Sequence, residues 1–228
     1  MIKAILFDLD NTLIDFMRMK YKSCDAAIDA MISAGLNIKK SRAIKILYNL
    51  YDKYGIEHKE IFQKFLNLVS GKVDYRIVAH GIAAYRKIEE SYILPYPNVI
   101  PTLIELKKHY KLAIISDAPR MRCWTRLVKM QIDDFFDLVI TAADVRKQKT
   151  HGAPFNAALK KLEIKPDEAL MVGDRIKRDI KPAKKLGIKT CYAKYGKKGL
   201  MKKHTAKGKS NADFEISKIG DLLKLKLT

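Results

Sequence analysis

The chain has 228 residues, 48% of them hydrophobic and 31% charged, and 45 Lys and Arg against 25 Asp and Glu give it a net charge of +20. That length suits one large domain or two modest ones, and the composition excludes an intrinsically disordered chain. No run approaches about 18 uninterrupted apolar residues and no targeting segment is evident. The three cysteines, Cys24, Cys123 and Cys191, are scattered and odd in number, which excludes a disulfide framework and sets the expectation of buried thiols in a cytoplasmic protein.

Residues 2–7 are an apolar, β-rich run that stops at Asp8. A near-continuous apolar strand belongs in the middle of a parallel sheet. From 16 to about 94 the texture is helical. "FMRMKYKSCDAAIDAMISAG" gives a first helix ending at Gly35. "SRAIKILYNLYDKYG" places Ile44, Leu47, Tyr48, Tyr51 and Tyr54 on one face, and "KEIFQKFLNLVSG" does the same with Ile61, Phe62, Phe65, Leu66 and Val69 before Gly71. A fourth helix starts near Asp74. Four helices with short connections make a small bundle. Pro95 and Pro97 in "LPYPNV" then mark a boundary.

Beyond that boundary short β-rich runs at 112–115, 138–141, 169–172 and 188–193 alternate with amphipathic helices near 99–109, 119–130, 153–162 and 179–186. Such alternation predicts an α/β fold with a doubly wound, mostly parallel sheet. The tail "ADFEISKIGDLLKLKL" adds a short strand and a closing helix. The helical block is therefore an insertion. A Rossmann-like α/β core spans 1–15 and 96–228, and a four-helix-bundle cap domain spans 16–95. Trp124 and the tyrosine stripes are expected in cores.

Ligands of open α/β sheets sit beyond the carboxyl ends of the strands. The first strand is followed by Asp8, Asp10 and Thr12, the second by Ser116 and Asp117, and "ALMVGDRIKRDI" supplies Asp174 and Asp179. "RKQKTHGAPF" adds Lys149, with Lys147 as its rival. Alternate residues of an extended segment face one side, so Asp8 and Asp10 can flank one phosphorus atom. Thr12 is an orienter of the second acid or the turn into the helical block. Several carboxylates at one point call for a divalent cation, and an all-oxygen set suits Mg²⁺. Hydroxyls, amides and an ammonium can hold phosphoryl oxygens, one carboxylate can attack phosphorus, and another can serve as general acid and base.

These residues, in this order, resemble the haloacid dehalogenase superfamily, in particular its phosphatase-like members with a helical cap inserted after the first strand. "FDLDNTL" resembles the first motif, "IISD" the second, Lys149 the third and "GDRIKRD" the fourth. The resemblance implies that Asp8 is the nucleophile, forming an aspartyl-phosphate, and Asp10 the general acid and base. It implies Mg²⁺ held by Asp8, the Asp10 carbonyl and Asp174. Phosphate would be bound by Ser116 and Lys149, with Thr12 and Asp117 beside them. Asp179 would stand behind the metal site, orienting the lysine or a metal-bound water. Dehalogenating members lack an acid at the Asp10 position, because a halide leaves without a proton, so Asp10 favours a phosphatase. The chain departs from the family pattern after the lysine, where "KTHGAPF" lacks the usual Pro.

The resulting expectation is a Mg²⁺-dependent phosphomonoester hydrolase for a small phosphorylated metabolite, with a cap that opens and closes. Arg18 and His151 are possible substrate contacts, whereas His58, His80, His109 and His204 show no ligand spacing. A phosphotransferase or phosphomutase on the same scaffold is the alternative within enzymes. A basic nucleic-acid-binding or scaffolding protein is the alternative outside them, raised by the +20 charge and by seven Lys within 194–209. Against it, Lys outnumbers Arg by 35 to 10 and is spread along the chain. No membrane partner is expected, and the oligomeric expectation is a monomer or weak dimer.

Overall fold

The computed structural model describes residues 1–196 and 210–227. It contains a six-stranded sheet in the order β3-β2-β1-β4-β5-β6. The strands are β1 (Ala4–Phe7), β2 (Lys111–Ser116), β3 (Leu138–Thr141), β4 (Ala169–Gly173), β5 (Lys189–Ala193) and β6 (Phe214–Ile216). Every pairing is parallel. All strands therefore deliver their carboxyl ends to one edge. Each of the four residues of β1 is buried, as a central strand covered on both faces requires. Ala4 and Leu6 point to one face, where they pack with Ala113, Ile115, Met171 and with Phe155 and Leu159. Phe7 points to the other and meets Phe136 edge-on at 6.3 Å between ring centres.

The described residues divide into two compact units. One comprises Met1–Asp15 and the residues from Leu94 onward; the other is Phe16–Ile93. The helical unit holds α1 (Phe16–Ser33), α2 (Lys40–Tyr54), α3 (Ile61–Ser70) and α4 (Tyr75–Tyr92). Asp74 caps α4, its carboxylate accepting from the amides of Arg76 and Ile77 at 2.9 and 3.2 Å. α1 packs mainly on α4. Of the stripe on α2, Leu47 and Tyr51 are buried, whereas Tyr54, at the helix end, is 40% exposed. Lys20 is buried in this unit, its Nζ donating to the Tyr85 hydroxyl at 2.9 Å and lying 4.2 Å from the centre of the Tyr51 ring.

The sheet unit carries α5 (Val99–Lys107), α6 (Arg120–Lys129), α7 (Ala142–Val145), α8 (Ala153–Leu162) and α9 (Lys181–Lys185). Its chain leaves and returns at one place: Ile14 bridges Pro95, and the Tyr96 amide donates to the Leu13 carbonyl at 2.8 Å. Three expectations are corrected. The helix expected at 179–186 begins earlier, as a wide π turn over Ile176–Ile180 that runs into α9. The closing segment Ile219–Lys224 is a 3-10 helix. Trp124 is no core residue; it is 39% exposed on the outer face of α6. All three cysteines are buried thiols. Of the lysine-rich stretch at 194–209, residues 197–209 lie outside the described residues, and so does His204.

Candidate active site

The central position of β1 decides where the chemistry can sit. The Asp8 amide continues the ladder by donating to the Val172 carbonyl at 2.9 Å, so its carboxylate emerges between the ends of β2 and β4. Directly after it the chain stops being extended. The amides of Thr12 and Leu13 turn back to the Leu9 carbonyl at 3.3 and 2.9 Å. Asn11 takes up the turn in the left-handed region, at φ 65°, which Asn tolerates better than most residues. This turn brings the Thr12 hydroxyl under Asp8, donating to its Oδ2 at 3.2 Å. Thr12 thus supports the first acid, and the expectation that it orients the second, Asp10, is corrected. The Tyr195 hydroxyl fixes the turn from the far side by donating to the Thr12 carbonyl at 2.8 Å.

Lys149 reaches the same point from a 3-10 turn (Lys149–His151) that follows α7. Its backbone amide donates to Asp117 Oδ1 at 2.9 Å. Its Nζ lies 2.5 Å from Asp8 Oδ1 and 2.5 Å from Asp179 Oδ1. It is 2% exposed; its rival Lys147 is exposed. Asp179 is fully buried, and its Oδ2 accepts from the Arg175 amide at 2.8 Å. The Arg175 carbonyl in turn accepts from the Asp179 amide at 2.7 Å and, across the wider π turn, from the Ile180 amide at 3.4 Å. Asp174 begins that segment and is 5% exposed. Carboxylate oxygens of Asp8, Asp174 and Asp179 lie within 4.8 Å of one another.

The electrostatics follow from burial. Desolvation, with the charge of Asp179 adding to it, outweighs the pull of Lys149 and raises the Asp8 carboxyl to about 7. Asp174 is raised well above the ordinary carboxylate range, first by burial and then by the charges of Asp8 and Asp179. Burial opposes the Lys149 ammonium, but Asp179 and Asp8 more than offset it and hold its pKa above the usual lysine value. Three carboxylates thus face a single ammonium that contacts two of them. Asp174 Oδ1 is buried with no hydrogen-bond partner among the described residues. An orphaned carboxylate oxygen inside a cluster of excess negative charge fits a divalent cation.

The remaining expected residues separate into two groups. Ser116 closes β2, is 1% exposed, and its hydroxyl accepts from the Ala118 amide at 3.1 Å. The Asp117 carboxylate is turned to the Lys149 amide and to Arg178, whose Nε is 3.4 Å from Oδ2. Its side chain braces the lysine turn. His151 is exposed, with its Nδ1 3.3 Å from the Thr150 hydroxyl. Arg18 belongs to the helical unit, where its guanidinium lies 5.6 Å from the centre of the Tyr92 ring. Asp10 is turned to a residue the motifs do not contain: one terminal nitrogen of Arg126 donates to both its oxygens, at 3.0 and 2.8 Å. The only sign of Arg126 in the sequence is its place between Cys123 and Leu127 on the inward stripe of α6.

The sequence model of the haloacid dehalogenase-like hydrolases matches residues 5–193. The chain belongs to this family. Among curated relatives of this haloacid dehalogenase-like hydrolase is the glyceraldehyde 3-phosphate phosphatase of Methanocaldococcus jannaschii, 38% identical over 86% of this chain and 87% of that protein. The glyceraldehyde 3-phosphate phosphatase of Pyrococcus furiosus is 34% identical over 98% of this chain and 92% of its own. Among solved structures, a haloacid dehalogenase-family phosphatase from Thermococcus onnurineus superposes with a TM-score of 0.69 at 27% identity, covering 98% of this chain and 97% of that one. The expected superfamily, its α/β core and the assignment as a hydrolase are borne out. Among the described residues no helix is long and apolar enough to cross a membrane.

Proposed function

We propose that this hydrolase is a Mg²⁺-dependent phosphomonoesterase that works through an aspartyl-phosphate on Asp8, with glyceraldehyde 3-phosphate as its first candidate substrate. The observation that carries the reading is the Lys149 ammonium, 2.5 Å from both Asp8 and Asp179, beside the orphaned oxygen of Asp174. A nucleophile, a cation for phosphoryl oxygens and a donor set for a metal thus share one point. The substrate class comes from the names of the curated relatives.

Asp8 and Asp174, with the Asp10 carbonyl, would hold Mg²⁺, which when bound supplies charge for the phosphoryl oxygens and offsets the repulsion among the carboxylates. Thr12 and Lys149 fix the Asp8 carboxylate, and Asp179 fixes the lysine. An Asp8 oxygen forms the new bond to phosphorus while the ester P–O bond breaks. Asp10 gives its proton to the departing oxygen, since an alkoxide is a poor leaving group. A water then attacks phosphorus, its proton goes to the Asp10 carboxylate, and the bond to Asp8 breaks to release phosphate. Ser116 and Lys149 stabilise the charge that develops on the transferring group.

The test is phosphate release from glyceraldehyde 3-phosphate and from other small phosphate esters, with Mg²⁺ and with a chelator. Release is expected to require Mg²⁺, and Asp8→Asn should lower it by ~10³-fold or more while the circular dichroism spectrum is unchanged. Near-normal turnover by Asp8→Asn would overturn the mechanism. Hydrolysis of other esters but not of glyceraldehyde 3-phosphate would overturn the substrate alone.

A further inference from the structure

We infer that Arg126 is the positioning residue for proton transfer by Asp10; this rests on the phosphatase reading above. The helix that carries it sets one charge among the apolar residues of its inner face, between Cys123 and Leu127, which are both fully buried. α6 turns Met121, Trp124 and Val128 toward solvent, at 72%, 39% and 54% exposure, and buries Arg126, which is 2% exposed. A helix face normally buries its apolar side chains, and a buried guanidinium is unfavourable without a partner. Packing alone does not explain this arrangement. The partner is Asp10, whose two oxygens lie 3.0 and 2.8 Å from one Arg126 nitrogen.

Asp10 needs such a partner. Unlike Asp8, which is held by Thr12 and Lys149, its side chain is 23% exposed and follows the last extended residues of the strand. At Asn11 the backbone has already turned. A carboxyl group in that place can rotate away from a leaving group. Contact by one nitrogen with both oxygens holds the carboxyl group toward α6 and leaves each oxygen with a further lone pair for the proton. α6 follows β2 by a short connection, so the element that supplies Ser116 also sets the second acid. Arg120 anchors the start of α6 by an ion pair to Asp144 at 2.6 Å.

Acting through Asp10, Arg126 affects phosphoryl transfer to Asp8 only as far as the leaving group needs a proton. The later attack of water, in which Asp10 is the base, is common to every ester, so the comparison is read in kcat/KM, which reports the first transfer. The experiment compares an alkyl phosphate, glycerol 3-phosphate, with 2,4-dinitrophenyl phosphate, whose phenolate leaves unaided. Arg126→Met should lower kcat/KM for the alkyl ester by ~10-fold or more, and for the aryl ester by less than ~3-fold. Arg126→Lys, which keeps a donor at the same place, should recover part of the loss, and it carries the test if the Met variant does not fold. Equal losses in kcat/KM on both esters, or no loss on the alkyl ester, would overturn the role. Asp10→Asn run on the same pair separates the two readings. If Asp10→Asn discriminates between the esters and neither Arg126 variant does, only the role of Arg126 fails. If Asp10→Asn does not discriminate, the general-acid reading fails and Arg126 with it.

Discussion

Lys149 holds its place because Gly173 leaves room behind it. A Cβ built on Gly173 would stand 2.5 Å from Asp179 Cγ and Oδ2, well inside contact distance. Only glycine at the end of β4 lets the Asp179 carboxylate lie against the backbone and still reach the ammonium at 2.5 Å. Asp179 is fully buried and cannot retreat without moving the π turn. Gly173→Ala is therefore expected to displace Asp179, loosen Lys149 and lower kcat by ~10²-fold, the scale of a small misplacement of reacting groups. It should also cost about 1–3 kcal/mol of stability by overpacking. Kinetics with thermal melts check this, and full activity would show that Asp179 does not hold the lysine. The sequence made Asp8, Asp174 and Asp179 legible because each follows a strand at fixed spacing. It left Lys149 and Lys147 open, since two exposed-looking lysines differ only in which of them the turn buries. Arg126 was illegible as a functional residue because its partner lies 116 positions away.

At the scale of elements the periodicities were read well where one force dominates. β1, β2, β3 and β4 are apolar runs that lead into polar residues, and the helices of the inserted unit show 3-and-4 spacing, with Gly71 ending α3 and Asp74 capping α4. The π turn at Ile176–Ile180 was not legible, because it answers to the Asp179 contact rather than to local propensity. Nor was the close approach of α1 and α4. A Cβ on Gly81, in the middle of α4, would collide with Met31 Cε and come within 2.9 Å of its Cγ. Met31 is fully buried, so its side chain has no solvent to turn into. Gly81→Val should destabilise the helical unit by about 2 kcal/mol, despite the better helix propensity of Val than of Gly. A lowered melting midpoint with an unchanged helical spectrum is the expected result. An unchanged midpoint would mean that the two helices separate at little cost.

For the molecule as a whole the charge imbalance is the least explained property. Twenty-five acids face 45 cations, and several exposed acids are already paired. Lys40 lies 3.0 and 2.7 Å from Asp25 and Asp29, Lys184 lies 2.9 Å from Asp213 and Lys194 lies 2.9 Å from Glu215. Exposed pairs of this kind contribute little each and weaken with salt. The larger effect is the mutual repulsion of the excess cations, which disfavours the compact state and is screened over the same range. The Debye length falls from about 30 Å at 0.01 M to about 3 Å at 1 M salt. Repulsion acts over many residues and the pairs only over a few ångströms, so screening removes more repulsion than attraction. Raising NaCl from about 0.01 M to about 0.5 M should therefore raise the melting midpoint by ~2–4 °C, which corresponds to ~1 kcal/mol for a protein of this size. Potassium and sodium chloride should act alike if screening is the cause. A midpoint that falls with salt would show that the ion pairs outweigh the repulsion.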